Sequence, residues 1–311
     1  MPELVLFSGN AHRTLSEKIC QHLGIALGKA FVSQFADGET RVELQTNIRG
    51  RDVFVIQPTS APVNHHLMEA LIIVDACRRA SAQTITLVTP YFGYARQERK
   101  SAPRTPITAK LVAEIMEGAG ITRLLTLELH NAAIQGFFNV PVDHLFVKPV
   151  FAEYFKEFSG EIVVVSPDAG GVERARAMAK YLQCGLAIVD KRRDIPNECE
   201  ISNIVGDVKG KRCLIIDDII DTGGSLIKAT DALMECGAQE VHAAVSHAVL
   251  SGKAVANIAG SSLVQLVVTD SIPLSEQAKK CSKIKQITIS RLLAEAILRI
   301  HSFDSVSSLF I

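Results

Sequence analysis

The chain has 311 residues, 48 % of them apolar and 21 % charged, with 33 basic residues balancing 33 acidic ones. That length builds two domains of ordinary size, and a net charge of zero without any Trp argues against a nucleic-acid partner. No apolar run reaches the ~20 residues that cross a bilayer, the opening MPELVLFSGN is not a secretory signal, and seven scattered cysteines without a CxxC pair fit reduced thiols in a cytoplasmic protein.

In chain order, short β-branched runs alternate with amphipathic stretches of helical period. Val53–Gln57 reads as a buried strand, Asn64–Ser81 as a helix, Thr84–Thr89 as a strand, Thr108–Gly118 as a helix and Leu124–Leu129 as a strand. The pattern breaks at Val147–Pro149. It resumes with strand Ile162–Ser166, helix Gly171–Gln183 and strands Leu186–Asp190 and Cys213–Asp217. Helix Ser225–Cys236 follows, then strands Val241–Ser246 and Leu263–Thr269. The strands are almost continuously apolar, as strands covered on both faces are. The expected class is α/β: two similar domains, each a mainly parallel sheet flanked by helices, related by internal duplication. The boundaries expected are 1–147 and 148–311. Such sheets place ligands at the carboxyl ends of their strands.

The segment Lys211–Gly237 carries the clearest chemistry. Its strand delivers Asp217 and Asp218, and Asp221-Thr222-Gly223-Gly224-Ser225 then opens a helix. Glycines let backbone N–H groups approach an anion, and the helix N-terminus and two hydroxyls complete a phosphate cradle. Two carboxylates beside it accept from a sugar diol. A phosphorylated pentose satisfies both halves; an acidic turn with Asp221 as a helix cap is the plainer alternative.

This pattern resembles the phosphoribosyl diphosphate motif of type I phosphoribosyltransferases and of ribose-phosphate pyrophosphokinases. Further motifs are similar to the second group: Phe35-Ala36-Asp37-Gly38-Glu39, Tyr94-Ala95-Arg96-Gln97-Glu98-Arg99-Lys100, Pro106–Lys110, Leu129-His130, Ile134–Phe138, Ser166-Pro167-Asp168, Asp190-Lys191-Arg192-Arg193 and Ser305-Val306-Ser307. The resemblance spans essentially the whole chain. It implies transfer of the diphosphoryl group of ATP to the C1 hydroxyl of ribose 5-phosphate, giving 5-phosphoribosyl 1-diphosphate and AMP.

The resemblance also distributes roles. Arg96, Gln97 and Arg99 fall to ATP; on residue chemistry alone they are an exposed basic turn able to pair with polyphosphate. Phe35, Asp37, Gly38 and Glu39 fall to the adenine end, across a subunit interface, though unaided ADGE is only a turn. His130 and Asp168 fall to Mg²⁺, and the backbone of Asp168-Ala169-Gly170-Gly171 to pyrophosphate. Lys191 and Arg193 become the catalytic pair of a closing flap, where a solvated charge run is the ordinary reading. Implied too are a homohexamer built from dimers, activation by inorganic phosphate and feedback by ADP. The effector site is expected at Arg49, Ser81, Arg104, Gln135, Asp143, Ser305 and Ser307. Asn47, Glu98, Ala102, Glu128 and Ser225 depart from the usual pattern without removing an expected catalytic group.

Four rivals stand beside this reading. A phosphoribosyltransferase shares DDIIDTGGS but needs neither FADGE, YARQER nor the KRR run. A non-catalytic regulatory subunit of the same family has no use for His130, Asp168, Lys191 and Arg193. Dehydrogenase and P-loop kinase readings lack GxGxxG after the first strand and GxxxxGK[ST], respectively.

Overall fold

The computed structural model describes residues 3–156, 158, 162–192 and 201–309, with the backbone alone at 191, 192, 201 and 202. Two units emerge: Met1–Phe146 with Ser271–Pro273 and Thr288–Ile311, and Val147–Asp270 with Leu274–Ile287.

The first unit is built on five parallel strands: β1 (Leu4–Ser8), β4 (Asp52–Ile56), β5 (Thr84–Thr89), β6 (Arg123–Leu127) and β7 (Val142–Leu145), side by side in that order. Helices α1 (Arg13–Leu23), α2 (Val63–Arg79) and α3 (Thr108–Ala119) connect them, and β2 (Ala30–Gln34) with β3 (Thr40–Leu44) forms a separate antiparallel hairpin. All five residues of β4 are buried, so its run of apolar side chains is packed on both faces. Phe7, Phe54, Leu87 and Leu124 lie in this core, each such side chain contributing about 1.5–3 kcal/mol.

The second unit begins at α4 (Lys148–Tyr154). It repeats the plan: β8 (Ile162–Ser166), α5 (Val172–Leu182), the antiparallel pair β9 (Gly185–Arg192) and β10 (Ile201–Val205), then β11 (Arg212–Ile220). After these come α6 (Gly224–Glu235), β12 (Glu240–Ala248), α7 (Ala254–Gly260), β13 (Gln265–Thr269), α8 (Glu276–Lys279) and β14 (Ile284–Ile287). The parallel order β8-β11-β12-β13-β14 matches β1-β4-β5-β6-β7 strand for strand, and β9–β10 occupies the chain position of β2–β3. Duplication is thus legible in topology. In the second copy β9 pairs onto β8 and extends the sheet to seven strands, whereas β2–β3 stays separate from its sheet.

The last helix, α9 (Ser290–Ser302), departs from the expected boundary. Residues 288–311 belong with the first unit, where the expectation placed all of 148–311 in one C-terminal domain. The cause is local chemistry. α9 buries Leu293, Ala294, Ala296 and Ile297 and packs along α1. His22 Nε2 lies 3.1 Å from Ser290 Oγ, and His301 Nδ1 lies 2.9 Å from Asp52 Oδ2 at the start of β4.

Among the described residues no helix is long and apolar enough to cross a membrane. Cys20, Cys77, Cys184, Cys213, Cys236 and Cys281 are free. Burial pushes the thiol of Cys77 up to about 12 and that of Cys213 to about 11, which keeps both protonated and inert.

Candidate active site

In the second unit the carboxyl end of β11 runs directly into α6. The strand continues through Ile220, so Asp217 and Asp218 lie inside it rather than beyond its end. Gly223, not Asp221, is the residue preceding the helix. Its φ of 79° is left-handed, a conformation that strains any side chain, and no side chain caps the helix there. The first N–H groups of α6 are therefore free of a side-chain acceptor, with Thr222, Gly224 and Ser225 exposed around them. That is an anion site by geometry. Asp221 is turned aside: its carbonyl accepts from Ser251 N at 3.0 Å, and its carboxylate accepts from the Ser251 hydroxyl.

Asp217 and Asp218 are electrostatically tied. Asp218 is 5 % exposed. Its N–H donates to Asp217 Oδ1 at 2.9 Å. Burial first, and the neighbouring Asp218 charge second, push the Asp217 carboxyl up to about 7. Arg174 on α5 opposes this shift, with Nη1 3.8 Å from Asp217 Oδ1 and 3.5 Å from Asp218 Oδ1. Sequence reasoning missed Arg174. In VERARAMAK it is one of several helix charges, and nothing local shows that it faces a strand end.

The loop from β8 to α5 is the second anion-facing turn of this unit. Asp168, Ala169 and Gly170 are exposed, and Gly171 is buried. Asp168 Oδ1 accepts from Gly171 N at 2.9 Å, and its carbonyl accepts from Ser166 Oγ at 2.7 Å. A Cβ on Gly171 would stand 2.9 Å from Ser166 Oγ, so the loop closes only around glycine. Lys191 lies in β9, its backbone in register with Ser202 of β10. Arg193 lies outside the described residues.

In the first unit, Tyr94-Ala95-Arg96-Gln97 forms a turn after β5. A cleft of ≈ 310 Å³ is lined by Val63, Asn64, Tyr91, Tyr94, Arg96 and Gln97. Gln97 Oε1 accepts from Thr108 Oγ1 at 2.6 Å, and the Tyr94 hydroxyl donates to Asn64 Oδ1. Arg99 is exposed, its Nε 3.5 Å from Glu98 Oε1. The turn Phe35–Glu39 caps the β2–β3 hairpin: Phe35 N donates to Glu39 O at 2.8 Å, and Glu39 N donates to Asp37 Oδ1 at 3.1 Å. Phe35 is 51 % exposed, with the Arg41 guanidinium 5.8 Å from its ring centre, which leaves an aromatic face free for a planar ligand. His130 is exposed just past β6, following Glu128, whose φ is 45°.

The expected effector residues occupy several neighbourhoods. Gly50 N donates to Ser81 O at 2.8 Å, which sets Arg49 close to Ser81 in the chain path. Asp143 pairs with Arg123 at 2.6 Å, and Gln135 Nε2 lies 3.4 Å from His144 Nδ1. Arg104 has a φ of 64° in an exposed loop. Ser305 O accepts from Arg299 Nη1 at 2.9 Å, and Ser307 opens the turn Ser307–Leu309. Among the described residues, the hydrogen bonds and ion pairs of these seven side chains run to other groups rather than to one another. Nor do three or more His, Cys, Asp or Glu side chains gather into a ready metal cluster among the described residues.

A duplicated parallel sheet with glycine-rich, carboxylate-flanked strand ends defines an α/β protein of the phosphoribosyltransferase-like type. Comparison with known proteins narrows this. Residues 4–120 match the family model described as the N-terminal domain of ribose phosphate pyrophosphokinase, and residues 191–311 match the phosphoribosyl synthetase-associated domain. A ribose-phosphate pyrophosphokinase of Brucella melitensis is 55 % identical over 98 % of this chain and 99 % of its own length. That of Neisseria meningitidis is 54 % identical over 99 % of this chain and 94 % of its own. A crystal structure of phosphoribosylpyrophosphate synthetase from Mycobacterium smegmatis superposes with a TM-score of 0.92 at 38 % identity, covering 97 % of this chain and 99 % of that one. The chain belongs to the ribose-phosphate pyrophosphokinase family.

Proposed function

We propose that this chain transfers the diphosphoryl group of ATP to the C1 hydroxyl of ribose 5-phosphate. The observation that carries the assignment to this chain's own residues is the β11–α6 junction, where an uncapped helix start adjoins two carboxylates. The 5-phosphate sits on Asp221-Thr222-Gly223-Gly224-Ser225, and the sugar diol donates to Asp217 and Asp218. ATP takes the cleft of Arg96 and Gln97, with Arg99 at its rim and the turn Phe35-Ala36-Asp37-Gly38-Glu39 at the adenine. The C1 hydroxyl oxygen attacks the β-phosphorus, the bond from that phosphorus to the α–β bridging oxygen breaks, and the hydroxyl proton is released to solvent. AMP departs with the bridging oxygen.

Lys191 and Arg193 neutralise the charge that grows on the phosphate oxygens, and closure of their segment excludes water. The backbone of Asp168-Ala169-Gly170-Gly171 donates to the diphosphate. His130 and Asp168 are the residues proposed to hold Mg²⁺. Asp168 presents a fixed, exposed carboxylate, the hard oxygen donor this ion prefers, and few protein ligands suffice where substrate phosphates supply the rest. Bound there, the ion neutralises polyphosphate charge.

The same reading carries a homohexamer built from dimers and a cytoplasmic setting. Inorganic phosphate and ADP act as effectors through Arg49, Ser81, Arg104, Gln135, Asp143, Ser305 and Ser307. These rest on the family resemblance of the quoted motifs.

Phosphorus NMR of the purified protein with ATP, Mg²⁺ and ribose 5-phosphate tests the reaction. Equal amounts of AMP and a sugar 1-diphosphate are expected. ADP as product rejects diphosphoryl transfer, and absence of turnover favours a regulatory subunit.

A pH profile tests the carboxylate pair. Asp217 is held up at about 7 in the free protein, so below that pH it keeps a proton and accepts less well from a diol. kcat/KM for ribose 5-phosphate should rise through neutral pH and level above it, and Asp217→Asn should flatten that limb. An unaltered limb in the variant removes Asp217 from the role.

A further inference from the structure

Glu69 on α2 is 0 % exposed, yet it is a carboxylate, and nothing in the reaction uses it. Three donors hold it: Asn10 N at 2.7 Å, Asn10 Nδ2 at 2.8 Å and Gln57 Nε2 at 2.8 Å. In the duplicated frame, Asn10 stands in the loop after β1, as Asp168 stands in the loop after β8. Gln57 follows Ile56 of β4, as Asp217 follows Ile216 of β11. A Cβ on Gly9 would lie 2.2 Å from Gln57 Oε1, so the side chain fills the space against this loop. The first unit's counterpart of the sugar and diphosphate site is occupied from within, its anion supplied by Glu69.

The network does not end there. His65, one turn earlier on α2, places Nε2 3.8 Å from Glu69 Oε2. Its Nδ1 lies 3.0 Å from Gln34 Nε2, and Gln34 Nε2 also reaches Gly38 O at 3.5 Å. An amide nitrogen only donates, so His65 Nδ1 is the acceptor and Nε2 carries the proton that faces the carboxylate. Asn10 Nδ2 donates to Val32 O on the same hairpin at 3.3 Å. A polar line thus runs from the buried Glu69 carboxyl to the carbonyl of the turn Phe35–Glu39, through a 3.8 Å electrostatic contact to His65 and then hydrogen bonds through Gln34.

We infer that Glu69, His65 and Gln34 form a positioning relay that sets the height and tilt of the adenine-binding turn. The relay rests on the proposed role of that turn. Glu69 faces His65 Nε2 at 3.8 Å and biases the ring's orientation, His65 Nδ1 then accepts from Gln34, and Gln34 steadies Gly38. A hydrogen bond of this kind is worth three- to tenfold, by about 0.5–1.5 kcal/mol. The work of the relay is felt by ATP alone.

Glu69→Gln is a poor probe because it sets an amide donor against other donors in the core. Gln34→Ala and His65→Ala lie nearer the surface and test the line directly. Each is expected to raise KM for ATP about three- to tenfold, while KM for ribose 5-phosphate and the melting temperature stay put. The double variant should be no worse than the weaker single, because both break one line. His65→Asn, whose amide oxygen replaces Nδ1 as acceptor, should restore most of the ATP KM. Phe35→Ala is the control. If it raises KM for ATP while Gln34→Ala and His65→Ala do not, the relay is overturned and the role of the turn stands. If Phe35→Ala changes nothing, both fall. Equal rises in both substrates' KM, or additive effects in the double variant, reduce these residues to structural support and overturn the relay.

Discussion

Arg174→Ala should lower kcat/KM for ribose 5-phosphate by about 10²-fold, equivalent to about 2.7 kcal/mol. Arg174 is the cation that faces both Asp217 and Asp218, and Asp218 is almost fully enclosed. Removing it takes away a cation that offsets the mutual repulsion of two adjacent carboxylates. Breaking a buried pair in this way costs up to about 3–5 kcal/mol, discounted here because Asp217 and Arg174 retain partial access to water. The pair responds by holding a proton to higher pH, and a protonated carboxyl is a weaker acceptor for the diol. The alkaline-rising limb of kcat/KM should therefore move to higher pH in the variant, with Arg174→Lys lying between. Steady-state kinetics across pH 6–9 reads both effects; a variant with native kcat/KM and an unmoved limb excludes Arg174 from the site.

Lys191→Ala should lower kcat by about 10²–10³-fold, the usual cost of losing one donor aimed at charge that develops in the transition state. Lys191 lies in β9, the strand that pairs onto β8 and carries the antiparallel β10. Its proposed role places it at the reacting phosphates, whereas the resting sugar is proposed to sit at the β11–α6 junction. KM for ribose 5-phosphate should accordingly change little. Single-turnover measurement with both substrates saturating isolates the step, and unchanged turnover rejects the role of Lys191.

The parallel strands were legible because each is buried on both faces and reads as an unbroken apolar run. Thr84–Thr89 and Ile162–Ser166 match residue for residue. The β2–β3 hairpin left no such trace. AFVSQ and TRVEL are only half covered, with exposed Phe31, Arg41 and Glu43 interrupting the apolar period. The glycine-rich turn before α6 was visible since Gly-Gly between a strand and a helix punctuates the sequence locally. Arg174 and Glu69 were not. Each is an ordinary helix charge until the fold brings it to a strand end through residues 44 and 12 positions away. Side-chain partners distant in sequence are set by topology, which local periodicity does not encode.

The return of α9 to α1 has a consequence for how the polypeptide matures. The first unit starts ahead of the second in the chain, yet its packing includes Leu293, Ala294 and Ile297, residues made only after 147–270 and 274–287 of the second unit. The second unit has its own core and can condense while the growing chain is still tethered. The earlier-made unit must wait with the inner face of α1 uncovered. Its completion thus waits on synthesis of α9, and a chain broken off before α9 carries an exposed apolar seam that marks it as unfinished.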